Sequence, residues 1–178
     1  MHVPTLTTER LLLRPFHQSD LDAFAAMQAD AEVMRHLGVG ASAGKPRTRA
    51  ETWANMAQMM GQWVLKGYGS FAVEERASGA FVGRAGILHP EGWPEPELAY
   101  ALARPAWHRG YAEEACRAIL PWAFGATGAE RIVSYIKPDN TPSARLAARL
   151  GALNEGPGEV MGVACDVWVH KPVPTALA

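Results

Sequence analysis

The sequence predicts a mixed α/β fold of the α+β kind, with an antiparallel meander in its first half and a strand–helix–strand–helix crossover in its second. Three features carry this expectation. Amphipathic helical spacing covers residues 20 to 37 and, after a glycine-rich loop, Thr48 to Gly67, short strand-like stretches with tight links lie between Ser70 and Leu102, and helices alternate with strands from Tyr111 onward. A chain of 178 residues supports one core, so residues 1–178 are expected to form a single domain.

Leu11-Leu12-Leu13, flanked by Arg10 and Arg14 and stopped by Pro15, reads as a first strand. Ser19 to Asp22 has capping-box spacing, and Leu21, Phe24, Met27, Met34 and Leu37 recur at helical intervals, giving one helix or two short ones over 20–37. Gly38-Val39-Gly40-Ala41-Ser42-Ala43 matches a dinucleotide fingerprint in letters only. A helix precedes it and Pro46 follows it, where the fingerprint needs a strand before and a helix after, so a loop is expected. Thr48 and Glu51 form a second capping box; Trp53, Met56, Met60, Trp63 and Val64 then mark a core-facing stripe that ends at Gly67.

Strands are expected at Ser70–Glu75, Phe81–Leu88 and Glu97–Leu102, linked by Ala77-Ser78-Gly79 and by the loop His89 to Pro96. A helix from Tyr111 to Phe124, a strand Arg131–Ile136, a helix Pro142–Leu150 and a hairpin from Val160 to Val169 complete the chain. Pro121 lies within the first of these helices, where it should kink or break it.

Seventeen Lys and Arg against eighteen Asp and Glu give a net charge of −1, so no overall positive field exists to neutralise phosphates and no nucleic-acid partner is expected. Residues Met1 to Arg10 lack a basic start and an apolar core, and no run approaches the ~18 apolar residues of a membrane span. A cytoplasmic protein is expected, without a membrane partner, as a monomer or homodimer. Cys116 and Cys165 sit in no metal-ligand spacing and read as free thiols.

Residues Glu97 to Ala115 carry the chemistry. A strand ends at Leu102, Pro105 prevents its continuation, and Gly110 opens a helix whose first N–H groups have no intrahelical partner. Such a helix start favours an anion, and Gly110 and Ala112 allow close backbone approach. Trp107-x-x-Gly110-x-Ala112 resembles the pyrophosphate loop of the GNAT acyltransferase superfamily, in the branch of ribosomal-protein-alanine N-acetyltransferases. Thr8 to Arg14 is similar to that branch's opening strand, Glu97-Leu-Ala-Tyr100 to its fourth strand, and Asn140-Thr-Pro-Ser143 with Leu150-Gly151 to its closing strand–helix motif.

The resemblance implies a GNAT-like mixed sheet splayed between its fourth and fifth strands, with helices on both faces and acetyl-CoA as co-substrate in the cleft. By the same similarity, the strand near Leu102 would pair with the pantetheine arm. His108, Arg109, Gly110, Tyr111 and Ala112 would hold the pyrophosphate after Trp107, and Arg104 and Arg109 would add charge or stay solvated. Asn140 would bond the pantetheine or the acceptor, or simply cap its helix. His108 stands where the branch usually has a small residue.

The implied reaction is N-acetyl transfer by direct attack of a primary amine, a protein N-terminus or a small molecule, on the thioester, without a metal. No HxxxH, HExxH or GxSxG spacing contradicts it. Glu97 is the candidate base, or else a solvated strand-end acid. Ser143 is the candidate hydroxyl near the leaving thiolate, or else a first-turn serine bonding backbone. His89 and Trp93, with Glu95 beside them, are candidates for the acceptor side. Alternatives are a non-catalytic acyl-CoA-binding module and a transferase for a longer acyl group such as succinyl.

Overall fold

The computed structural model describes residues 3–172. Strands β1 (Leu6–Thr7) and β2 (Leu11–Arg14) lead into helices α1 (Leu21–Ala29), α2 (Ala31–Met34) and α3 (Arg49–Lys66). Strands β3 (Ser70–Glu75), β4 (Ala80–Leu88) and β5 (Glu97–Leu102) follow, then α4 (Tyr111–Thr127), β6 (Ile132–Ile136), α5 (Thr141–Arg149), β7 (Leu153–Val160) and β8 (Val163–His170). They build one eight-stranded sheet in the order β1-β2-β3-β4-β5-β6-β8-β7.

Every neighbouring pair is antiparallel except β5 and β6, which run parallel and share the single registered pair Glu97↔Val133. These two are the strands expected to splay, and beyond Glu97 they part. The Ser134 hydroxyl donates to the Leu98 carbonyl at 2.9 Å, so a side chain takes an acceptor that a continued ladder would have used. At the other end of β5 the helical turn Arg104–Ala106, with Pro105 inside it, turns the chain away.

Helices cover both faces. On one face α4 lays Ala115, Ile119 and Ala123 against Leu11, Leu13, Val73, Ala85 and Ile87. On the other, Phe24 and Met27 of α1 and Met56 and Met59 of α3 pack on Ala72 and Ala101. A smaller group, Ile136, Ala147 and Ala152, seats α5 beside β6.

Four local expectations are corrected. The buried face of α3 is Thr52, Met56, Met59 and Trp63, whereas Trp53 and Val64 are 51% and 64% exposed. Steps of four, three and four residues track the helical period, and the expected stripe drifts off it. Before α1 the capping box forms two residues earlier than expected: the Asp20 carboxylate accepts from the His17 amide at 2.7 Å and pairs with Arg14 at 2.8 Å. Pro121 does not break α4, which runs on to Thr127. Strand β7 extends back to Leu153, through a stretch whose Gly156, Pro157 and Gly158 hide it from a propensity reading. Their placement suits an edge strand, where a missing donor costs no ladder bond.

The Thr48 capping box forms as expected: the Glu51 amide donates to the Thr48 hydroxyl at 3.3 Å, and the Thr48 amide to the Glu51 carboxylate at 2.7 Å. Gly86 of β4 lies so close to β3 that a Cβ there would come within 2.5 Å of Ser70 Cα. Backbone cannot retreat as a side-chain tip can. Gly86→Val is expected to destabilise by roughly 3 kcal/mol or more, read as a lower denaturant midpoint, because overpacking here must shift two strands.

Candidate active site

The parting of β5 from β6 opens two adjoining cavities. The first, about 310 Å³, lies towards α1 and α3 and is bordered by Arg84, Trp93, Glu97, Asn55 and Ser134. The second, about 500 Å³, lies between the starts of α4 and α5 and is bordered by Trp107, His108, Gly110, Ala112 and Arg149. Tyr100, Asn140 and Ser143 border both.

Strand β5 supplies the wall between them. The Ala103 amide donates to the Val82 carbonyl, and since β4 and β5 are in register this sets the alternation. Residues 97, 99 and 101 bond to β4, and the main-chain groups of Leu98, Tyr100 and Leu102 point into the splay. The Leu102 carbonyl is already engaged there by the Trp107 indole N–H at 2.7 Å.

The start of α4 is shaped by two residues of positive φ, His108 at 60° and Gly110 at 78°. For Gly110 that conformation is free; for His108 it carries the Cβ penalty of a left-handed residue, roughly 1–2 kcal/mol. The amides that follow Gly110 open α4 towards the second cavity. Asn140 caps α5, its side-chain oxygen accepting from the Ser143 amide at 3.3 Å. The Ser143 hydroxyl does not turn back to the backbone: it accepts from the Tyr100 hydroxyl at 3.0 Å, so one side-chain bond spans the splay. Burial holds the Tyr100 phenol well above its ordinary pKa, which keeps it a donor.

Glu97 stands at the closed end of the splay. The residue is only partly covered, but its carboxyl group is enclosed, and the Trp93 indole donates to it at 2.6 Å. Enclosure pushes its pKa up from 4.5 to about 7, against the opposing pull of the Trp93 bond and of Arg84. Beside it the Ser134 hydroxyl donates to Leu98 and lies 3.2 Å from His170 Nε2. Burial lowers the His170 pKa to about 4, so this imidazole is neutral near pH 7.

The structure thus brings Glu97, Trp93, Leu102, Trp107, His108, Gly110, Ala112, Asn140 and Ser143 to the two cavities. The side chains of four other candidates have partners elsewhere, which leaves the backbone groups of Arg109 and Tyr111 within the loop at the start of α4. Arg104 pairs with Asp30 at 2.6 Å. Arg109 pairs with Glu75 at 2.6 Å and lies over the Tyr111 ring. The Tyr111 ring is buried and its hydroxyl bonds Glu75. His89 is a peg, bonded through Nδ1 to the Tyr68 hydroxyl at 2.8 Å and through its amide to Gln62 at 2.9 Å. Glu95, too, is occupied, by Arg131 at 2.7 Å. Burial raises the Cys116 thiol to about 12, so it is inert as a nucleophile.

Sequence reasoning missed Tyr100 and Arg84 as site residues. Tyr100 shares the parity of Leu98 and Leu102, and Arg84 is the one charge in an otherwise apolar strand; both signals were available.

Among the described residues no helix is long and apolar enough to cross a membrane, and no cluster of three or more metal-ligating side chains forms. Residues 10–153 match the family model described as an acetyltransferase (GNAT) domain. Among curated proteins, YkkB of Bacillus subtilis is 31% identical over 82% of this chain and 83% of its own. The uncharacterized N-acetyltransferase p20 of Bacillus licheniformis is 29% identical over 85% of this chain and 84% of its own. An acetyltransferase structure from Agrobacterium tumefaciens superposes with a TM-score of 0.82 and 30% identity, covering 97% of this chain and 96% of that one. The fold is shared with Mycobacterium smegmatis RimJ, solved in complex with CoA-disulfide, at a TM-score of 0.73 and 22% identity over 93% of this chain and 85% of that one. The splayed sheet, the glycine-opened α4 and this domain match together make the chain a member of the GNAT acetyltransferase family and an acyltransferase.

Proposed function

We propose that the protein transfers an acetyl group from acetyl-CoA to a primary amine by direct attack within a ternary complex. The observation that carries this reading is the meeting of two cavities at the Tyr100–Ser143 bond, one with an enclosed carboxylate and the other with an open helix start.

The second cavity suits the donor. The amides after Gly110 and the turn at His108 would hold the pyrophosphate, with charge-assisted bonds of roughly 1.5–3 kcal/mol each. The main-chain groups of Tyr100 would bond the pantetheine arm, as a strand adds to an exposed edge. Bound acetyl-CoA supplies an acyl thioester.

Glu97 takes the proton of the attacking amine, directly or through water, as the nitrogen–carbon bond forms. A carboxylate with a pKa of about 7 is suited to that task near neutral pH. Ser143, whose oxygen already accepts from Tyr100, has its own hydrogen free to donate to the sulfur as the carbon–sulfur bond breaks. Ser143 keeps its own proton and only hydrogen-bonds the leaving thiolate; Glu97 releases its proton to solvent and solvent returns one to the thiolate, so the thiol leaves protonated and both side chains end as they began.

Ser143→Ala is expected to lower kcat roughly tenfold, the value of one hydrogen bond to a charged group, with little change in the KM for acetyl-CoA. Steady-state assays against α-amine peptides and small amines read both constants. Unchanged kcat would remove Ser143 from the mechanism.

A further inference from the structure

Arg84 is 93% buried by exposure, in the middle of β4, and its guanidinium Nε and Nη1 have no hydrogen-bond partner among the described residues. Buried guanidinium groups are ordinarily paired, so an orphaned one bordering a cavity calls for a ligand. Burial lowers its pKa to about 10, which still leaves it charged near neutral pH.

Its position relative to Glu97 follows from register. Arg84 pairs with Ala101, Gly86 with Ala99, and Leu88 with Glu97, so Arg84 and Glu97 rise from the same face of the sheet. Their backbones stand about 14 Å apart along it, four strand residues, and their charged ends reach towards each other closely enough for Arg84 to pull on the Glu97 carboxyl. Only Gly86, Ala99 and Ala101 lie between them, and these leave the floor of the first cavity clear. A second guanidinium, Arg47, borders the same cavity and makes no ion pair among the described residues. Gln28, held by Asn55 at 2.9 Å, adds an unpartnered buried Oε1. The cavity is therefore bordered by a base, Glu97, by two guanidinium groups without ion-pair partners among the described residues, and by the Gln28 amide.

We infer that the amine acceptor is a small amino acid, whose carboxylate is bound by Arg84, with Arg47 beside it, while its amine faces Glu97. A guanidinium fork matches a carboxylate in two parallel bonds, which an ammonium in its place would not reproduce. At about 310 Å³ the cavity is at the small end of ligand sites, which suits a free amino acid better than an extended peptide. The inference rests on the acetyl-transfer reading for the role of the amine, but not for the binding of the acid.

The test compares glycine, β-alanine, γ-aminobutyrate, δ-aminovalerate and a panel of α-amino acids with the corresponding amines that lack the carboxylate, all with acetyl-CoA. At least one amino acid is expected to exceed its matched amine in kcat/KM by tenfold or more, chiefly through KM. In Arg84→Met that ratio is expected to collapse towards one, and in Arg84→Lys to recover only in part. Calorimetric titration of the preferred amino acid into wild-type protein without acetyl-CoA reads the acid site alone and needs no variant. Equal turnover of acids and amines, a preference for aminophosphonates, or a ratio untouched by Arg84→Met would overturn the inference. Failure of acetyl-CoA to bind, with amino-acid binding intact, would remove the acetyl-transfer reading and leave the acid site standing; absence of amino-acid binding would remove the acid site.

Discussion

Glu97→Gln is expected to lower kcat by roughly 10²- to 10⁴-fold, the range lost with a general base, while acetyl-CoA binding persists. The pH profile gives the sharper reading. Because burial raises the Glu97 pKa to about 7, wild-type kcat/KM should climb about tenfold per pH unit below that value and level off above it. The variant should lose that limb of the profile.

The same substitution should make the protein more stable at high pH. Folding raises the Glu97 pKa from 4.5 to about 7, so between those values the folded chain keeps a proton that the unfolded chain has released. Wild-type stability therefore falls as pH rises through this window, whereas a glutamine has no such term. Above the window the variant should gain on the order of 3 kcal/mol, less whatever the attraction to Arg84 contributes. A less active but more stable variant is the signature of a catalytic carboxylate; a structural one would lose stability on replacement. Thermal melts at pH 5 and pH 8.5 beside steady-state assays measure both, and equal kcat for the two proteins would exclude Glu97 as the base.

Gly110→Trp should abolish detectable acetyl-CoA binding, a loss of about 10²-fold or more if two phosphate bonds go. The fold should survive it. A Cβ on Gly110 would meet only the tip of Arg10, at 3.3 Å, and side-chain tips can move. The positive φ of 78° still charges a left-handed penalty of roughly 1–2 kcal/mol, so a lower melting temperature should accompany the loss. A Gly110→Trp protein that melts lower yet binds acetyl-CoA as wild type does would mean the start of α4 does not hold the donor.

Much of this was legible in the residues. Apolar alternation found β3, β4 and β5, and Gly110 after Pro105 found the start of α4, because each is set by local rules of period and backbone freedom. The Thr48 capping box was legible for the same reason. Strand β7 was not, since Gly156 and Pro157 have little strand propensity and pairing with β8 alone defines it. Nor was the occupation of Arg104, Arg109 and His89: each meets its partner, Asp30, Glu75 or Tyr68, across a distance in sequence that no spacing encodes. The Tyr100–Ser143 bond joins residues 43 positions apart, which makes it a property of the splay rather than of either segment.

Everything proposed for catalysis depends on the opening between β5 and β6 taking acyl-CoA. The most direct measurement is a calorimetric titration of purified wild-type protein with acetyl-CoA. Saturable binding with one site per chain is expected, present also in Glu97→Gln and lost in Gly110→Trp. A wild-type protein that takes up no acetyl-CoA, or one that binds it equally well with Trp at position 110, would contradict it.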